Sequence, residues 1–439
     1  MKNFVEELRW RGLVQDLTPG TEDFLMQGPT VGYVGFDPTA VSLHVGNLVP
    51  IMLLKHFQLA GHRPVALVGG ATGMVGDPSG KSAERNLLDE ATLRRNQEGV
   101  AQQLRTFLDF EGERAARVVN NYDWFRDVGF LTFLRDVGKH LSVNYMIAKD
   151  SVKKRLEGGI SFTEFSYQLL QGYDFYHLYR ELGCRVQMGG SDQWGNITTG
   201  TELIRRMRAA EAGGAEDAEG TSGAYALVAP LLTKADGSKF GKSEAGNVWL
   251  DPTMTSPYQF YQFWLKATDE DAPRLMRVFS LRDRSEIESL EAAHAEAPGR
   301  RALQRALAEE MTARVHSAEA LLQVQEASQI LFGRGTTDAL RRMDEQTLLE
   351  VMEGVPQVAV PRAAITEATD LLELLSTGTG QQIFKSKGEA RRMISGGGVR
   401  VNQEKITPDT DPATFELLRD RYLWVQRGKK NHFLVRTLD

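Results

Sequence analysis

Two short stretches of the chain combine basic side chains with glycine in a way that suits phosphate chemistry. The HVGN element (residues 44–47) holds a histidine and a glycine, and the KFGKS element (residues 239–243) holds two lysines three positions apart. Glycines and serines flank those lysines, which predicts a mobile loop able to close over a polyphosphate. The HVGN element alone is a weak signal, because a loop histidine and a turn glycine explain it equally well.

The residues around the HVGN element predict the strand, turn and helix that position it. An apolar run at residues 31–36 indicates a buried strand, and Pro38 interrupts it. Helically spaced apolar residues follow position 47, and a second strand at residues 64–70 would complete a right-handed crossover. The first amides of such a helix favour an anion. We expect the side chains of Thr39 and His44 and the backbone of Gly46 to lie beside that anion or its nucleoside.

A second strand, glycine turn and helix follow at residues 185–189, 190–196 and 197–207. In this turn, Asp192 is suited to accept hydrogen bonds from a ribose, and Gln193 to reach a carboxylate or a phosphate. An equally simple reading makes Asp192 a helix cap. The repetition predicts two halves of one nucleotide-binding sheet.

The glycine-rich run at residues 69–81 follows the second strand and resembles a phosphate-binding P-loop in composition. Its spacing is one residue too short between the glycines, and a proline interrupts it, so we reject a P-loop. Asp77 could hold an ammonium group there, while Lys81 and Arg85 could hold phosphates.

The segment at residues 162–182 predicts a helix rich in aromatic residues. Tyr167, Gln171 and Asp174 fall at i, i+4 and i+7, which places a hydroxyl, an amide and a carboxylate on one face. This combination suits a pocket for a small ligand with an apolar body and polar ends. The alternative is an aromatic core helix with an exposed polar stripe.

Composition limits the class of protein. The 439 residues are 41% hydrophobic and 25% charged, which is typical of a globular chain of two or three domains. The net charge is −6, although residues 363–439 have 12 basic against 10 acidic residues. The lone Cys184 excludes an internal disulfide and suggests core packing in a reducing compartment. Without a signal peptide or an apolar run of about 20 residues, we expect a cytoplasmic protein with no membrane partner.

The pattern along the chain predicts three domains. Residues 1–250 form an α/β domain with a Rossmann-like parallel sheet, a helical insertion around residues 86–160 and the KFGKS loop. Exposed apolar surface on that insertion would serve a dimer contact, or it is ordinary core. Residues 251–353 are expected to be α-helical, residues 354–366 to be a proline-bearing linker, and residues 367–439 to be a small α+β domain.

Basic residues concentrate around a predicted helix and glycine turn near the C-terminus. They could follow an RNA backbone, or they could form an ordinary solvated helix face. These residues are Lys385, Lys387, Arg391, Arg392 and Lys405.

The motifs together resemble the class I aminoacyl-tRNA synthetases, in which HVGN stands for the HIGH element and KFGKS for the KMSKS element. The stretches GYVGFDPTAVSLHVGN, LVGGATGMVGDPSGK, FSYQLLQGYDF, QMGGSDQWGN and KFGKS are similar to those of the bacterial tyrosyl-tRNA synthetases in particular. The likeness extends to residues 367–439, which resemble an S4 RNA-binding domain. It departs from HIGH at Asn47, where the family often has histidine, and we expect the role there to be modestly altered.

The resemblance implies a reaction and its partners. L-tyrosine and ATP would form tyrosyl-adenylate and pyrophosphate, and tyrosine would pass to the 3′ end of tRNA(Tyr). Mg²⁺ would accompany ATP, no structural metal is expected on the protein, and the family implies a homodimer. No protein nucleophile is needed, because the amino-acid carboxylate is already ionised and positioning carries most of the acceleration.

Site roles follow from the resemblance position by position. For tyrosine they fall on Tyr33 and Asp174 at the phenol, on Asp77, Tyr167 and Gln171 at the ammonium group, and on Gln187 near the carboxylate. For ATP they fall on Gly35, Asp37, Thr39, His44, Gly46, Asn47, Gly190, Asp192, Gln193, Lys239, Lys242 and Ser243. The residues implied in catalysis around the β- and γ-phosphates are Thr39, His44, Lys81, Arg85, Lys239 and Lys242.

Three alternatives stay open at this point. A tryptophanyl-tRNA synthetase is disfavoured because Tyr33 and Asp174 match the phenol-binding pattern and because no S4-like tail is expected there. An RNA-binding protein on an inactive synthetase scaffold is disfavoured by the intact His44, Asp77 and loop lysines. A nucleotidyltransferase that does not act on tRNA would leave the C-terminal tail unexplained.

Overall fold

The structure is a computed structural model, and it describes residues 2–77, 89–149, 152–153, 156, 158–211, 223–238, 240–243, 246–331, 337–428 and 431–438. Its contacts divide the chain into two units. The first unit comprises Met1–Thr255 and Gln262–Val315, and the second comprises Ser256–Tyr261 and His316–Asp439.

A six-stranded sheet organises the first unit. Its strands are β1 (Asp16–Leu17), β2 (Val31–Phe36), β3 (Arg63–Val68), β4 (Arg117–Asn120), β5 (Cys184–Gly190) and β6 (Tyr225–Ala229). The order across the sheet is β1-β6-β5-β2-β3-β4, with β1 antiparallel and all other neighbours parallel. The predicted parallel sheet is confirmed, and the predicted strand at residues 31–36 has the observed bounds.

Strands β2 and β5 lie side by side at the point where the order of the sheet reverses. The chain runs from β2 to β3 on one side and from β5 to β6 on the other. In open α/β sheets, ligands bind at such a switch point, outside the carboxyl ends of the strands. The register places Tyr33 of β2 opposite Gln187 of β5.

Helices cover the sheet and form most of the remaining structure. In chain order they are α1 (Phe4–Arg11), α2 (Thr21–Met26), α3 (Leu48–Leu59), α4 (Glu90–Phe107), α5 (Tyr122–Phe125), α6 (Phe130–Asp136), α7 (Val143–Ile147), α8 (Phe162–Leu182), α9 (Trp194–Glu211), α10 (Pro257–Leu265), α11 (Ala272–Phe279), α12 (Arg284–Glu296) and α13 (Ala302–Val315). Among the described residues, no helix combines the length and the apolar character needed to cross a bilayer.

Two helices show how the sequence positions the site. Helix α3 is apolar around most of its circumference and is therefore buried against the sheet. It packs so closely that a Cβ on Gly32 would lie 2.7 Å from Phe57 Cζ. Helix α8 begins where Ser161 caps the amide of Glu164, and it ends at Gly183 in the left-handed conformation.

The second unit contains helices and a five-stranded sheet. The helices are α14 (Ala318–Leu331), α15 (Thr337–Arg342), α16 (Glu345–Val351), α17 (Ala363–Thr366), α18 (Leu371–Leu375) and α19 (Lys387–Ser395). The strands are β9 (Gln357–Pro361), β10 (Val399–Val401), β11 (Glu404–Lys405), β12 (Tyr422–Arg427) and β13 (Asn431–Leu438), in the order β11-β10-β12-β13-β9. A separate short hairpin in the first unit joins β7 (Lys242–Ser243) and β8 (Gly246–Asn247).

The range 354–366, predicted as a linker, contains strand β9 and helix α17. Val358 and Val360 alternate with exposed residues and enter the core of the second unit, and β9 pairs in parallel with β13. The flanking prolines suggested a linker. Pro361 is compatible with a strand, because it lies at the end of an edge strand, where no backbone donor is needed for pairing. The other predicted domain boundaries stay predictions.

Candidate active site

Strands β2 and β5 carry two buried polar side chains at neighbouring positions in the middle of the sheet. Tyr33 is 1% exposed and Gln187 is 2% exposed. Tyr33 Oη and Gln187 Oε1 find no hydrogen-bond partner among the described residues. Buried polar groups are normally paired, and these two oxygens lie on the neighbouring strands of the switch point, where ligands bind in open α/β sheets.

Asp174 supplies a carboxylate to the Tyr33 side of this site. Its two oxygens accept hydrogen bonds from Asn121 Nδ2 at 3.0 Å and from Trp124 Nε1 at 2.9 Å. Burial raises the pKa of Asp174 to about 8, although both donors act to lower it. Burial, and then the charge of Asp174, raise the pKa of Tyr33 well above its ordinary value. The pair suits a ligand hydroxyl that both donates and accepts.

A network of carboxylate and amide groups lies beside helices α8 and α9. Asp77 accepts from Gln193 Nε2 at 2.6 Å and from Asn196 Nδ2 at 3.4 Å. Gln171 donates to Gln193 Oε1 at 3.3 Å and accepts from Asn196 at 3.0 Å. Asp77 is 6% exposed and would offer an ammonium group a negative charge sheltered from solvent.

Asp37 and Asp192 add two more carboxylates. Tyr167 Oη donates to the Asp37 oxygens at 3.3 and 3.4 Å, and Thr72 Oγ1 lies 3.4 Å from Asp37 Oδ1. Gly69 is required beside them, because a Cβ there would lie 2.6 Å from Asp37 Oδ1. Burial, and then the charge of Asp77, raise the pKa of Asp192.

The HVGN element forms a rigid turn at the start of α3. His44 Nδ1 accepts from the Gly46 amide at 3.0 Å, and Asn47 Oδ1 accepts from the His44 amide at 3.0 Å. Since Nδ1 is an acceptor, neutral His44 carries its proton on Nε2 and can donate it to a phosphate oxygen. Asn47 therefore has a local task that a second histidine would not perform in the same way.

The KFGKS element contacts the HVGN element through the backbone. Gly241 has φ +94°, and a Cβ on it would lie 3.1 Å from the Gly46 nitrogen. The Val248 amide donates to the Gly241 carbonyl, and the Val45 amide donates to the Val248 carbonyl. The structure thus brings the two signature elements together.

Other predicted residues lie at the strand ends or outside the described part of the chain. Gly35 is exposed one residue before the end of β2, Thr39 is exposed on the following turn, and Gly190 ends β5. Lys81, Arg85 and Lys239 lie outside the described residues, and the side chains of Lys242 and Ser243 are not described.

Asn121, Trp124 and Asn196 were missed by the sequence analysis. Asn121 directly follows β4, and the carboxyl end of a parallel strand is where polar ligand-facing residues collect. That position is the signal that could have found it. Trp124 and Asn196 carry no comparable signal, because their value depends on partners distant in sequence.

The predicted RNA-binding residues surround α19 and the turn of β10 and β11. Lys385, Arg391, Arg392 and Lys405 are exposed. Lys387 is paired with Asp370 at 3.0 Å and with Glu373 at 2.7 Å, so part of its charge is used within the unit.

Comparison with known proteins agrees with this geometry. Residues 26–333 match the family model for class I tRNA synthetases (W and Y), and residues 348–435 match a tyrosine–tRNA ligase SYY-like C-terminal domain. The chain is 60% identical to the tyrosine–tRNA ligase of Cytophaga hutchinsonii, over 99% of this chain and 100% of that protein. It is 57% identical to that of Bacteroides fragilis, over 99% of each chain.

Solved structures give the same result for the fold. A C-terminally truncated mitochondrial tyrosyl-tRNA synthetase from Aspergillus nidulans superimposes with a TM-score of 0.68 at 30% identity, covering 76% of this chain and 95% of that one. The corresponding enzyme of Coccidioides posadasii gives 0.66 at 31% identity, covering 74% and 91%. The chain therefore belongs to the class I tRNA synthetase family that comprises the tryptophan and tyrosine enzymes.

Proposed function

We propose that this chain is a tyrosine–tRNA ligase. It activates L-tyrosine with ATP to tyrosyl-adenylate and pyrophosphate, and it then transfers tyrosine to the 3′ end of tRNA(Tyr). The observation that carries the proposal is the buried pair of Tyr33 and Asp174 at the switch point of the sheet, where the Tyr33 hydroxyl has no hydrogen-bond partner in the described part of the chain and the charge of Asp174 acts on it. The curated relatives quoted above bear the name of this activity.

The phenol hydroxyl of tyrosine fits between Tyr33 and Asp174. The substrate donates to the Asp174 carboxylate and accepts from Tyr33 Oη, so each group gains a partner. Phenylalanine would give Tyr33 Oη no acceptor and Asp174 no further donor in a buried site, and a site of that kind rejects the analogue strongly. Enzymes that activate tyrosine are themselves the established example of this rejection.

The ammonium and carboxylate groups of the amino acid would lie toward the centre of the site. Asp77, Tyr167 and Gln171 surround the place where an ammonium group is balanced by buried negative charge. Gln187 lies on β5 beside Tyr33, and its Nε2 would donate to the substrate carboxylate.

ATP would bind along the HVGN turn and the carboxyl end of β5. Asp37, Asp192 and Gln193 offer acceptors and donors to the ribose and α-phosphate, and Gly35, Gly46 and Gly190 allow a close approach of the nucleotide. Thr39, His44 and Asn47 would serve the outer phosphates, together with Lys81, Arg85, Lys239, Lys242 and Ser243.

The first chemical step is attack of the substrate carboxylate on the α-phosphate, with pyrophosphate as the leaving group. The protein positions both reactants and stabilises the charge that develops on the phosphates. Mg²⁺ would accompany ATP as its counterion and would neutralise part of the phosphate charge. His44 contributes a neutral donor from Nε2, fixed in direction by its bond to the Gly46 amide.

The second unit is suited to bind the tRNA. Lys385, Arg391, Arg392 and Lys405 present exposed positive charge around one helix and one turn, as binding to an RNA backbone requires. The domain boundaries that we propose for this division of labour are residues 1–250, 251–353 and 367–439.

A homodimer is supported by exposed apolar side chains on the short helices α6 and α7 and at the start of α8. Phe130, Leu131, Val143 and Phe162 are 64%, 78%, 59% and 66% exposed. Exposed apolar side chains mark contacts between protein chains where they form a contiguous patch. Leu131→Glu should convert a dimer to a monomer in sedimentation experiments at micromolar concentration, and an unchanged mass would place the contact elsewhere.

The cytoplasm, where tRNA is charged, is the proposed location.

Aminoacylation tests the proposed function directly. Labelled tyrosine should accumulate on tRNA(Tyr) in the presence of ATP and Mg²⁺, whereas tRNA(Trp) and tRNA(Phe) should remain uncharged. Charging of tRNA(Trp) with tryptophan would contradict the assignment of the amino acid. Binding of tRNA without any charging would favour an RNA-binding protein on the same scaffold.

A further inference from the structure

Helix α11 contacts the segment that carries the KFGKS element at two places. We call residues 232–243 the lysine loop. Near its start, Asp271 Oδ1 accepts a hydrogen bond from the Ala235 amide at 3.0 Å. Arg274 donates to the carbonyl of Thr233 and pairs with Asp271 at 2.9 Å. Near its end, Phe240 stacks on Phe279 with ring centroids 5.5 Å apart.

The use of Asp271 is unusual for its position. It is the N-cap residue of α11, where an aspartate normally accepts a bond from the first turn of its own helix. Its side chain makes no such capping bond, and Oδ1 is directed to the lysine loop instead. Oδ2 accepts from Thr268 Oγ1 at 3.0 Å, which fixes the orientation of the carboxylate. Asp271 is 5% exposed, so water competes little for these bonds.

The loop is closed internally between the two contacts. The Lys234 amide donates to the Ser238 carbonyl at 2.8 Å, and the Phe240 amide donates to the Leu232 carbonyl at 3.3 Å. These two bonds connect the part of the loop that holds Thr233 and Ala235 with the part that holds Phe240. Lys239 directly precedes Phe240 in sequence.

Helix α11 is itself held in place. Arg11 is 3% exposed and donates to the carbonyl oxygens of Arg277 and Ser280 at 2.7 Å each, at the end of the helix. Phe279 also packs edge-on against Trp264, at 5.1 Å between ring centroids. The helix is thus a fixed support, and the lysine loop is the part attached to it.

We propose that Asp271 and Arg274 are positioning residues for the lysine loop, which set where its lysines stand relative to the triphosphate of ATP. This inference rests on the proposed function, since it assumes that the lysines act on ATP. Neither residue touches substrate in this proposal. They act through the backbone of Thr233 and Ala235, and the stacking of Phe240 on Phe279 does not depend on either side chain.

The test compares Asp271→Ala and Arg274→Ala with Glu270→Gln, which changes an exposed neighbouring carboxylate. Active sites are counted by the burst of adenylate formation, so that misfolded protein does not enter the rate. Per active site, both alanine variants should slow tyrosine-dependent pyrophosphate exchange by about 10- to 100-fold, the loss typical of small misplacements remote from the chemistry. The KM for ATP should rise, and the dissociation constant for tyrosine should stay unchanged. Arg274→Lys should recover part of the rate.

Limited trypsin digestion of the full chain gives a readout that does not depend on activity. Cleavage after the lysines of the loop should be faster in both alanine variants than in Glu270→Gln. Should Asp271→Ala fail to fold, two other variants serve the test. Asp271→Asn keeps an acceptor for the Ala235 amide, and Arg274→Ala changes a side chain that is 44% exposed. An unchanged rate per active site overturns the proposal, whatever the rate of cleavage. A wild-type chain without exchange activity would instead refute the proposed function.

Discussion

Replacing Tyr33 by phenylalanine should change stability and function in opposite directions. Tyr33 Oη is buried and has no hydrogen-bond partner among the described residues. Removing it therefore breaks no bond in the unliganded chain and relieves the desolvation of a polar group. A buried unsatisfied group costs about 1–3 kcal/mol, so we expect Tyr33→Phe to raise the free energy of unfolding by up to about 1 kcal/mol once the lost packing is included.

Tyrosine binding should weaken in the same variant, because the phenol hydroxyl of the substrate loses one partner. A neutral hydrogen bond contributes about 0.5–1.5 kcal/mol net. At about 1.4 kcal/mol per factor of ten, this predicts a loss of about two- to tenfold in the preference for tyrosine over phenylalanine. The assay is the ratio of kcat/KM for the two amino acids in pyrophosphate exchange.

Tyr422→Phe is the matched control. The Tyr422 hydroxyl donates to Glu345 at 2.8 Å within the second unit, so its removal should lower stability by about 1 kcal/mol and leave pyrophosphate exchange unchanged. Urea denaturation measures both variants at one protein concentration. The reasoning is refuted if Tyr33→Phe loses stability and still discriminates tyrosine from phenylalanine as the wild type does.

Three further predictions concern other residues. Burial raises the pKa of Asp174 to about 8 in the folded chain before substrate binds, against an ordinary value of 3.8. Without substrate, wild-type stability should therefore fall between about pH 4 and pH 8 relative to Asp174→Asn in urea denaturation, and a parallel pair of pH profiles would contradict the raised pKa. Gly241→Ala should slow activation by about tenfold or more, because φ is +94° and the new Cβ would meet the Gly46 nitrogen. The affinity for tyrosine, measured by equilibrium dialysis, should be retained. A normal rate of activation would show that the contact is dispensable. Arg391→Ala should weaken tRNA binding in filter-binding experiments and reduce the slope of the logarithm of the binding constant against the logarithm of the salt concentration by about 1. Pyrophosphate exchange should be unchanged. An unaltered slope would show that Arg391 is not part of the tRNA interface.

Local patterns predict much of the first unit. The sequence predicts strand β2 with its observed bounds because a short buried apolar run stops at Pro38, and proline cannot continue the ladder. The spacing of Tyr167, Gln171 and Asp174 predicts one helix face, and α8 contains all three. Signals that depend on neighbouring residues in the chain are therefore well represented in the sequence.

Contacts between distant residues could not be predicted in this way. Asn121 and Trp124 donate to Asp174, which lies 53 and 50 positions further along the chain, and no periodicity connects them. Asp271 looks like an ordinary helix cap until the structure places its oxygen on the Ala235 amide. Strand β9 falls in a predicted linker because two prolines outweigh a short alternating pattern of valines. In each case the partner that gives the residue its role lies elsewhere in the chain.

The central claim is that the site activates tyrosine with ATP, and amino-acid-dependent exchange of labelled pyrophosphate into ATP tests it most directly. The experiment compares tyrosine, phenylalanine and tryptophan without tRNA. We predict rapid exchange with tyrosine and very little with the other two, since only tyrosine pairs with both Tyr33 and Asp174. Exchange with tryptophan in place of tyrosine would contradict the assigned pocket, and exchange with none of the three would contradict the activation chemistry itself.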